Sequence, residues 1–256
     1  MNLKYLVVTF FLFQSLTTAL NGDQIAKGLP KGDCQVPKPL TDLTHCSFYG
    51  RNLISIDLQG ANLKGVDLRS ANLSECDLSG ANLTEADLRW SNLKKCRLNN
   101  TILRKANCFH TSFDGSLMDN ADLSNAYLFG ANLNKIIARR ADFSGAFMKD
   151  ADMERSDLSN SNIKNAFMLR AVLIGSDFTD ANLQEVELTG GALEDAIFIR
   201  ANLKSAKLNG ASIENTDFRE AIIEDTSLKD ITLDSNHKPK QKGSNKPPAH
   251  LQDQLD

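Results

Sequence analysis

The sequence repeats every five residues, without a break in register, from about Thr41 to Ser235. Between Leu43 and Leu233 the repeat defines 39 central positions, and all 39 hold Leu, Ile, Phe, Met, Cys or Ala. Two residues before the centre, 35 of the 39 units hold Ala, Gly, Ser, Thr, Cys or Val. A period of five matches neither an α-helix nor a β-strand. It predicts a chain that turns after each unit and buries one large and one small side chain per unit.

The units resemble the A-[DN]-L-x-x motif of the pentapeptide-repeat family, as in Ala71-Asn72-Leu73 and Ala81-Asn82-Leu83. The resemblance covers about three quarters of the chain. It implies an all-β fold, a right-handed quadrilateral β-helix with four units in each coil. A coil then takes 20 residues, residue n lies beneath residue n+20, and the 39 units make nearly ten coils.

Residues 20 apart should therefore form columns along the rod. Phe178, Phe198 and Phe218 fall in one such column and are predicted to stack. Cys76 and Cys96 also lie one coil apart, at small inward positions. Their spacing is compatible with a disulfide, but two buried thiols that fill Ala-sized sites are the favoured interpretation.

The first 19 residues are predicted to be a signal peptide. Lys4 is followed by the apolar run Tyr5–Phe13, and the small residues Thr17 and Ala19 precede the expected cleavage site. The apolar run is shorter than the roughly 20 residues that span a bilayer. The mature protein is thus predicted to be exported, periplasmic or secreted, without stable membrane insertion after cleavage.

The remaining chain divides into a predicted N-terminal cap or linker at 20–40, the β-helix at 41–235, and a disordered tail rich in Lys and Pro at 236–256. The five cysteines are an odd number, so at least one stays unpaired. Cys34 and Cys46 flank the start of the repeats and are the candidates for a disulfide. The sequence lacks CxxC, and no metal site or cofactor is predicted.

Because the interior is filled, function should lie on the outer faces. The residue before each centre is usually Asp or Asn, which favours tight turns by bonding neighbouring backbone. The repeat explains acidic residues such as Asp57, Asp67, Asp77 and Asp87, so they are not interpreted as catalytic groups or metal ligands.

One face departs from this pattern in three consecutive coils, where Tyr127, Phe147 and Phe167 replace Asp or Asn. Exposed apolar patches usually mark interaction sites. The patch is predicted to bind a protein partner or a second copy, unless turn residues or a terminal segment cover the rings. Its predicted members are Tyr127, Phe147, Phe167, Phe109, Phe129, Leu169, Trp90 and His110, with Arg69, Arg89 and Arg170 at the margins.

The leading hypothesis is a non-enzymatic, exported binding or scaffold protein. Some cytoplasmic pentapeptide-repeat proteins resemble duplex DNA and bind type II topoisomerases, which the resemblance makes an alternative. Residues 41–235 hold 28 acidic and 21 basic side chains, a net charge of −7, which is mild for a DNA mimic. Export would also separate the chain from topoisomerases, and no nucleic-acid partner is predicted. A host-directed secreted effector is a further alternative.

Catalysis is the least favoured hypothesis. The sequence shows no Ser-His-Asp arrangement, no HExxH motif and no metal-ligand spacing. Of its four histidines, only His110 lies in the central rod. Larger β-helices that cleave polysaccharides share the general architecture, but a shared fold does not establish activity. No catalytic residue is predicted.

Overall fold

The computed structural model describes residues 28–230, which form a β-solenoid. Parallel β-bridges join residues 20 positions apart, as in the series Asn62, Asn82 and Ile102. The bridges form four columns along the rod, each built from the residue before the centre of a unit. The predicted 20-residue register is confirmed.

Each bridge is a single residue, and a two-residue turn follows every centre. In this register the first bridge is Asp42–Asn62 and the last is Lys207–Ser227. Residues 28–230 contain neither a helix nor a strand longer than one bridge, because the chain turns before a longer strand can form. None of the described residues belongs to a helix with the length and hydrophobicity needed to cross a membrane.

Backbone hydrogen bonds tie each unit to both neighbouring coils. The Leu63 amide donates to the carbonyl oxygen of Asn82 at 2.7 Å, and the Asn82 amide donates back to Ala61 at 2.9 Å. A third bond closes the turn, from the Val66 amide to the Leu63 oxygen at 3.1 Å. Stacking the coils therefore supplies partners for the backbone groups of the turning chain.

The interior is filled by the two side chains per unit that the sequence predicts. Every central residue from Leu43 to Leu228 is buried, and every small position from Ala61 onward is buried as well. The predicted phenylalanine column is confirmed. The Phe178 and Phe198 rings stack at 4.9 Å between centroids, and Phe198 and Phe218 at 5.3 Å.

The last residue of each unit has a positive φ throughout the series from Gly50 to Asp230. Together with the hydrogen bond that closes the turn, this is the geometry of type II turns, which favour Gly or Asn at that position. A non-glycine residue there costs about 1–2 kcal/mol. Trp90, with φ 61°, and His110, with φ 51°, occupy this position despite their bulk.

Residues 28–40 lie against the first coil. The Gly32 amide donates to the Asp42 oxygen at 2.9 Å, and the Leu40 amide donates to the Gln59 oxygen at 2.9 Å. Leu40 also covers Gly60, where an added Cβ would lie 2.7 Å from the leucine Cδ2. The predicted signal peptide and the predicted tail at 236–256 lie outside the described residues.

A disulfide joins Cys34 to Cys46, with the Cα atoms 5.4 Å apart. It links the N-terminal segment to the first repeats, as proposed for this pair from the sequence. Cys76, Cys96 and Cys108 are buried free thiols. The sequence allows either a disulfide or two buried thiols at Cys76 and Cys96. The structure has the two thiols.

Candidate functional site

The outer Asp and Asn residues hold the turns together. Their side-chain oxygen accepts a hydrogen bond from the backbone amide two residues later, as from Ser79 to Asp77 at 3.0 Å and from Thr84 to Asn82 at 3.0 Å. These are Asx-type turn bonds. The structural role that the sequence predicts for these residues accounts for their recurrence.

Aromatic rings replace this arrangement on one face. Phe147 and Phe167, one coil apart, stack with their centroids 5.1 Å apart and their planes 8° apart. Phe109 and Phe129 form a second stack on the same face, at 5.3 Å and 9°. A contact of 6.4 Å between Phe129 and Phe147 joins the two stacks. The rings therefore form one continuous cluster.

Trp90 and His110 extend this cluster onto the adjacent corner of the rod. Their rings stack at 4.5 Å, and Trp90 also meets Phe109 edge to face at 5.3 Å. His110 lies over Gly130, where an added Cβ would come within 2.5 Å of the imidazole Cε1. Gly130 is thus favoured by its φ of +59° and by the ring that covers it.

Between these rings lies an open groove with a volume of about 410 Å³. Trp90 and Tyr127 are its most exposed rings, at 60% and 57% exposure, and Phe147 is 36% exposed. Phe109 and Phe129 are half-buried and form its floor. The complete lining, which we call the aromatic groove, is Arg89, Trp90, Asn107, Phe109, Tyr127, Phe129 and Phe147.

The predicted patch is only partly the same as the groove. Phe167 and His110 contact lining rings from behind rather than lining the groove themselves. Leu169 lies in the same column as Phe129, is half-buried and does not line the groove. Arg170, predicted at the margin, pairs with Asp150 at 2.8 Å.

Two lining residues were absent from the predicted patch. The sequence predicts Arg89 only at the margin, and Asn107 is one of the Asp and Asn residues that precede most centres. The signal for Asn107 was its column, because it lies one coil before Tyr127.

Paired charges close one end of the aromatic cluster. The Arg69 Nη2 lies 2.8 Å from Asp67 Oδ2, and the Arg89 Nη2 lies 2.6 Å from Asp87 Oδ2. The hydrogen bond from Arg69 holds the pKa of Asp67 below its ordinary value. Each of the two carboxylates is paired with a guanidinium group, so this end carries little net charge.

The other end is arranged similarly. Burial raises the pKa of Glu187, but hydrogen bonds from Thr189 and Lys207 outweigh it, and the pKa is lowered overall. The Lys207 Nζ lies 3.1 Å from a Glu187 carboxylate oxygen. Within the cluster, Lys149 Nζ lies 5.9 Å from the Phe129 ring centroid, within range of a cation–π contact. The groove is thus an apolar surface between two paired sets of charges.

The buried thiols lack the chemistry of nucleophiles. A hydrogen bond with Cys96, together with burial, raises the pKa of the Cys76 thiol, and burial raises that of Cys108. The Cys96 thiol donates to the Leu73 carbonyl oxygen at 2.9 Å. Because the thiolate is the reactive form, these cysteines act as core residues.

At the N-terminal end, the potential ligand atoms of Cys34, His45 and Cys46 lie within 4.8 Å of one another. The disulfide between Cys34 and Cys46 ties up both sulfur atoms. In this form the cluster offers no thiolate to a metal ion, and we assign none to it.

Fold and surface together define a β-solenoid with a filled interior and an aromatic groove on one outer face. The family model for pentapeptide repeats matches this sequence in eight copies. The matched residues are 41–80, 81–120, 121–160, 151–190 and 193–234. The chain belongs to the pentapeptide-repeat family.

Solved structures of other family members are similar to this chain. One is HetL, a pentapeptide repeat protein involved in heterocyst differentiation regulation in the cyanobacterium Nostoc sp. strain PCC 7120. HetL is 30% identical to this chain, with a TM-score of 0.50, and the match covers 77% of this chain and 86% of HetL. A pentapeptide repeat protein from the Arabidopsis thaliana thylakoid lumen is 31% identical over 43% of this chain and 72% of its own, with a TM-score of 0.36. QnrB1, a plasmid-mediated fluoroquinolone resistance protein, is 18% identical over 74% of this chain and 92% of its own, with a TM-score of 0.45. A comparison with curated proteins finds no match.

Proposed function

We propose that this chain, wound as a right-handed quadrilateral β-helix of nearly ten coils, is an exported, non-enzymatic protein that binds a protein partner through the aromatic groove. One observation carries the proposal. Tyr127, Phe147 and Phe167 occupy bridge positions where Asp or Asn normally stabilises the turn. Tyr127 and Phe147 line the groove together with Trp90, and Phe167 stacks on Phe147.

We expect that the stability of the rod does not require these rings. A Phe or Tyr at this position gives up the turn bond that Asp or Asn would make, and it leaves apolar area in water. Large exposed apolar patches on soluble proteins mark interaction sites. Trp, Tyr and Arg, which surround this groove, are the residues enriched at binding hot spots.

The disulfide supports export. A bond between Cys34 and Cys46 persists in oxidising compartments and is rare in the cytosol. It agrees with the signal peptide that the sequence predicts, and hence with a periplasmic or secreted protein. A host-directed effector would have the same route and would use the same groove.

The surface charges favour protein binding over DNA mimicry. A mimic needs an acidic surface with few basic interruptions, whereas arginines here pair with the carboxylates. Arg97 lies 3.2 Å from Asp77, and Arg139 lies 2.6 Å from Asp157. The most distinctive surface of this chain is apolar. Such a surface suits an apolar surface of a protein partner better than the DNA-binding channel of a topoisomerase.

The test compares the mature full chain with a Phe147→Asp/Phe167→Asp variant. Capture of exported proteins from the source organism and light scattering after gel filtration are measured on both. The matched control is Ile137→Asp/Ile197→Asp, because these residues hold the same unit position on the opposite face.

Loss of a specific partner, or of a dimer, in the first variant alone supports the proposal. If both variants behave like the wild type, the groove is not the interface. Retention in the cytosol would refute export.

A further inference from the structure

The aromatic groove has the chemistry of a site for extended, proline-rich polypeptide. Such a segment in the polyproline II conformation makes no internal hydrogen bonds, so its carbonyl groups need outside donors. Trp90 offers its indole N–H and Tyr127 its hydroxyl. Arg89 donates to Asp87 through Nε and Nη2, and its Nη1 is the donor that takes no part in that pair. Asn107 accepts a bond from the Phe109 amide through Oδ1 at 3.3 Å, which leaves its NH₂ group to donate. Aromatic grooves with such donors bind proline-rich segments.

The directions of the rings agree with this assignment. The rings of Phe109, Phe129 and Phe147 stack on one another along the rod, so these contacts already cover ring faces of all three. One face of the Trp90 ring stacks on His110. Tyr127 has no contact with another aromatic ring among residues 28–230. Trp90 and Tyr127, the most exposed rings of the groove, therefore form two walls on which proline rings can pack.

The described chain ends in line with this groove. Asp230 lies in the same corner column as Gly130 and Trp90, because these positions differ by multiples of 20. At a spacing of about 4.8 Å per coil, Asp230 is roughly 24 Å from Gly130 and roughly 34 Å from Trp90. Gly210 adds no side chain to this corner, and nothing lies within 4 Å of a Cβ added there. Further along the same column the Arg170 side chain lies beside Gly190 and pairs with Asp150.

The chain beyond Asp230 has both the length and the composition to reach the groove. Residues 236–256, which follow the last predicted repeat, comprise 21 residues, with Pro239, Pro247 and Pro248 among them and no Phe, Tyr or Trp. A polyproline II segment rises about 3.1 Å per residue, so roughly 11 residues cover the distance to Trp90.

We propose that the C-terminal segment, residues 236–256, runs back along this corner and that its proline-containing part occupies the aromatic groove of the same molecule. This inference rests on the proposed function and names the chemistry of the occupant. The segment is tethered, and a tether of this kind gives an effective concentration on the order of millimolar. Weak contacts then suffice to fill the groove, and an external partner has to compete with the tail.

Trp90 is the only tryptophan of the chain, so its fluorescence reports directly on the groove. The mature full chain is compared with a chain that ends at Ser235, which keeps all the repeats. We expect truncation to shift Trp90 emission to longer wavelength and to increase its quenching by acrylamide. A synthetic peptide of residues 236–256, added to the truncated chain, should reverse both changes in a saturable way.

Two variants control for effects on folding. Pro239→Ala/Pro247→Ala/Pro248→Ala in the full chain should reproduce the effect of truncation, and the corresponding peptide should bind at least about tenfold more weakly, because a more flexible backbone must be ordered. Tyr127→Asp in the truncated chain should abolish the response to the wild-type peptide. Circular dichroism establishes that each variant keeps the fold.

The proposal is overturned if the full and truncated chains give the same emission and quenching, or if saturating peptide leaves Trp90 unchanged. A quenching difference that depends on protein concentration would place the tail in a second copy and would refute the intramolecular arrangement. These results are separable from the proposed function. If the groove variants lose partner capture while the tail peptide fails to bind, the groove is an interface and its occupant is not the tail.

Discussion

Two stacks of phenylalanine rings in this molecule have nearly the same geometry and opposite surroundings. Inside the rod, Phe178, Phe198 and Phe218 stack at 4.9 and 5.3 Å with planes within 8°. On the outside, Phe147 and Phe167 stack at 5.1 Å and 8°. The inner rings are buried, whereas Phe147 is exposed and Phe167 is half-buried.

The 20-residue register produces both stacks, and the position within the unit decides what each stack does. A ring at the centre of the unit is buried and fills the interior of the rod. A ring one residue earlier faces outward, where it replaces a turn-stabilising Asp or Asn. The inner stack should therefore carry stability, and the outer stack is free to contact a partner.

The largest expected effect is that of Phe198→Ala. Removal of a fully buried ring leaves a cavity between two coils, and we expect a loss of about 3–5 kcal/mol in the free energy of unfolding. Urea denaturation followed by circular dichroism measures it. Phe147→Ala is the control and should cost far less. Equal losses in the two variants would mean that the outer stack also carries stability, and the contrast between the stacks would fail.

How much of the structure the sequence predicts depends on whether a contact runs along a column of the rod or between neighbouring columns. Contacts along a column follow from the spacing of 20, so the Phe178–Phe198 stack and the buried centres were predictable from the sequence. The turn bonds of Asp and Asn follow from local chemistry. The single-residue length of the bridges was not predicted, because only the structure shows where each turn begins.

Contacts between neighbouring columns were less predictable. The Phe129–Phe147 contact joins residues 18 apart, and the stack of Trp90 on His110 depends on how both rings lie at the corner. The same side-chain directions bring Asn107 into the groove and leave Leu169 outside it. Side-chain rotamers decide these contacts, and periodicity does not encode them.

Gly130→Ala tests the corner where the groove begins. An alanine at positive φ costs about 1–2 kcal/mol, and at Gly130 its Cβ would also displace the His110 ring. We expect a larger loss of unfolding free energy than in Gly80→Ala, together with a shift in Trp90 fluorescence. Gly80 is the matched control, because it has a φ of +68° and no atom within 4 Å of an added Cβ. Identical results for the two glycines would show that the Trp90–His110 stack does not depend on this corner.

Phe147→Asn sharpens the contrast at the outer stack itself. Asparagine restores the residue type that stabilises the turn elsewhere, while the contacts with Phe129 and Phe167 are lost. We expect the free energy of unfolding to change by no more than about 0.5 kcal/mol, as for most surface substitutions, while binding through the groove is lost. Chemical denaturation and the Trp90 assay measure the two effects separately. A loss of several kcal/mol would show that the exposed rings are part of the core.

The smallest expected effect concerns an ion pair on the opposite face. Burial raises the pKa of Asp157, but hydrogen bonds from Arg139 and Ser159 outweigh it, so the pKa in the folded protein lies below the ordinary value of 3.8. Stability from this group is therefore present above about pH 4 and is lost as the pH falls through the folded-state pKa. The advantage of the wild type over Asp157→Asn should shrink between pH 7 and pH 3, whereas the cost of Phe198→Ala should not follow this group's titration. Unfolding free energies of the three proteins at both pH values provide the measurement. A constant difference between wild type and Asp157→Asn would show that the carboxylate contributes equally in both protonation states, contrary to its pairing with Arg139.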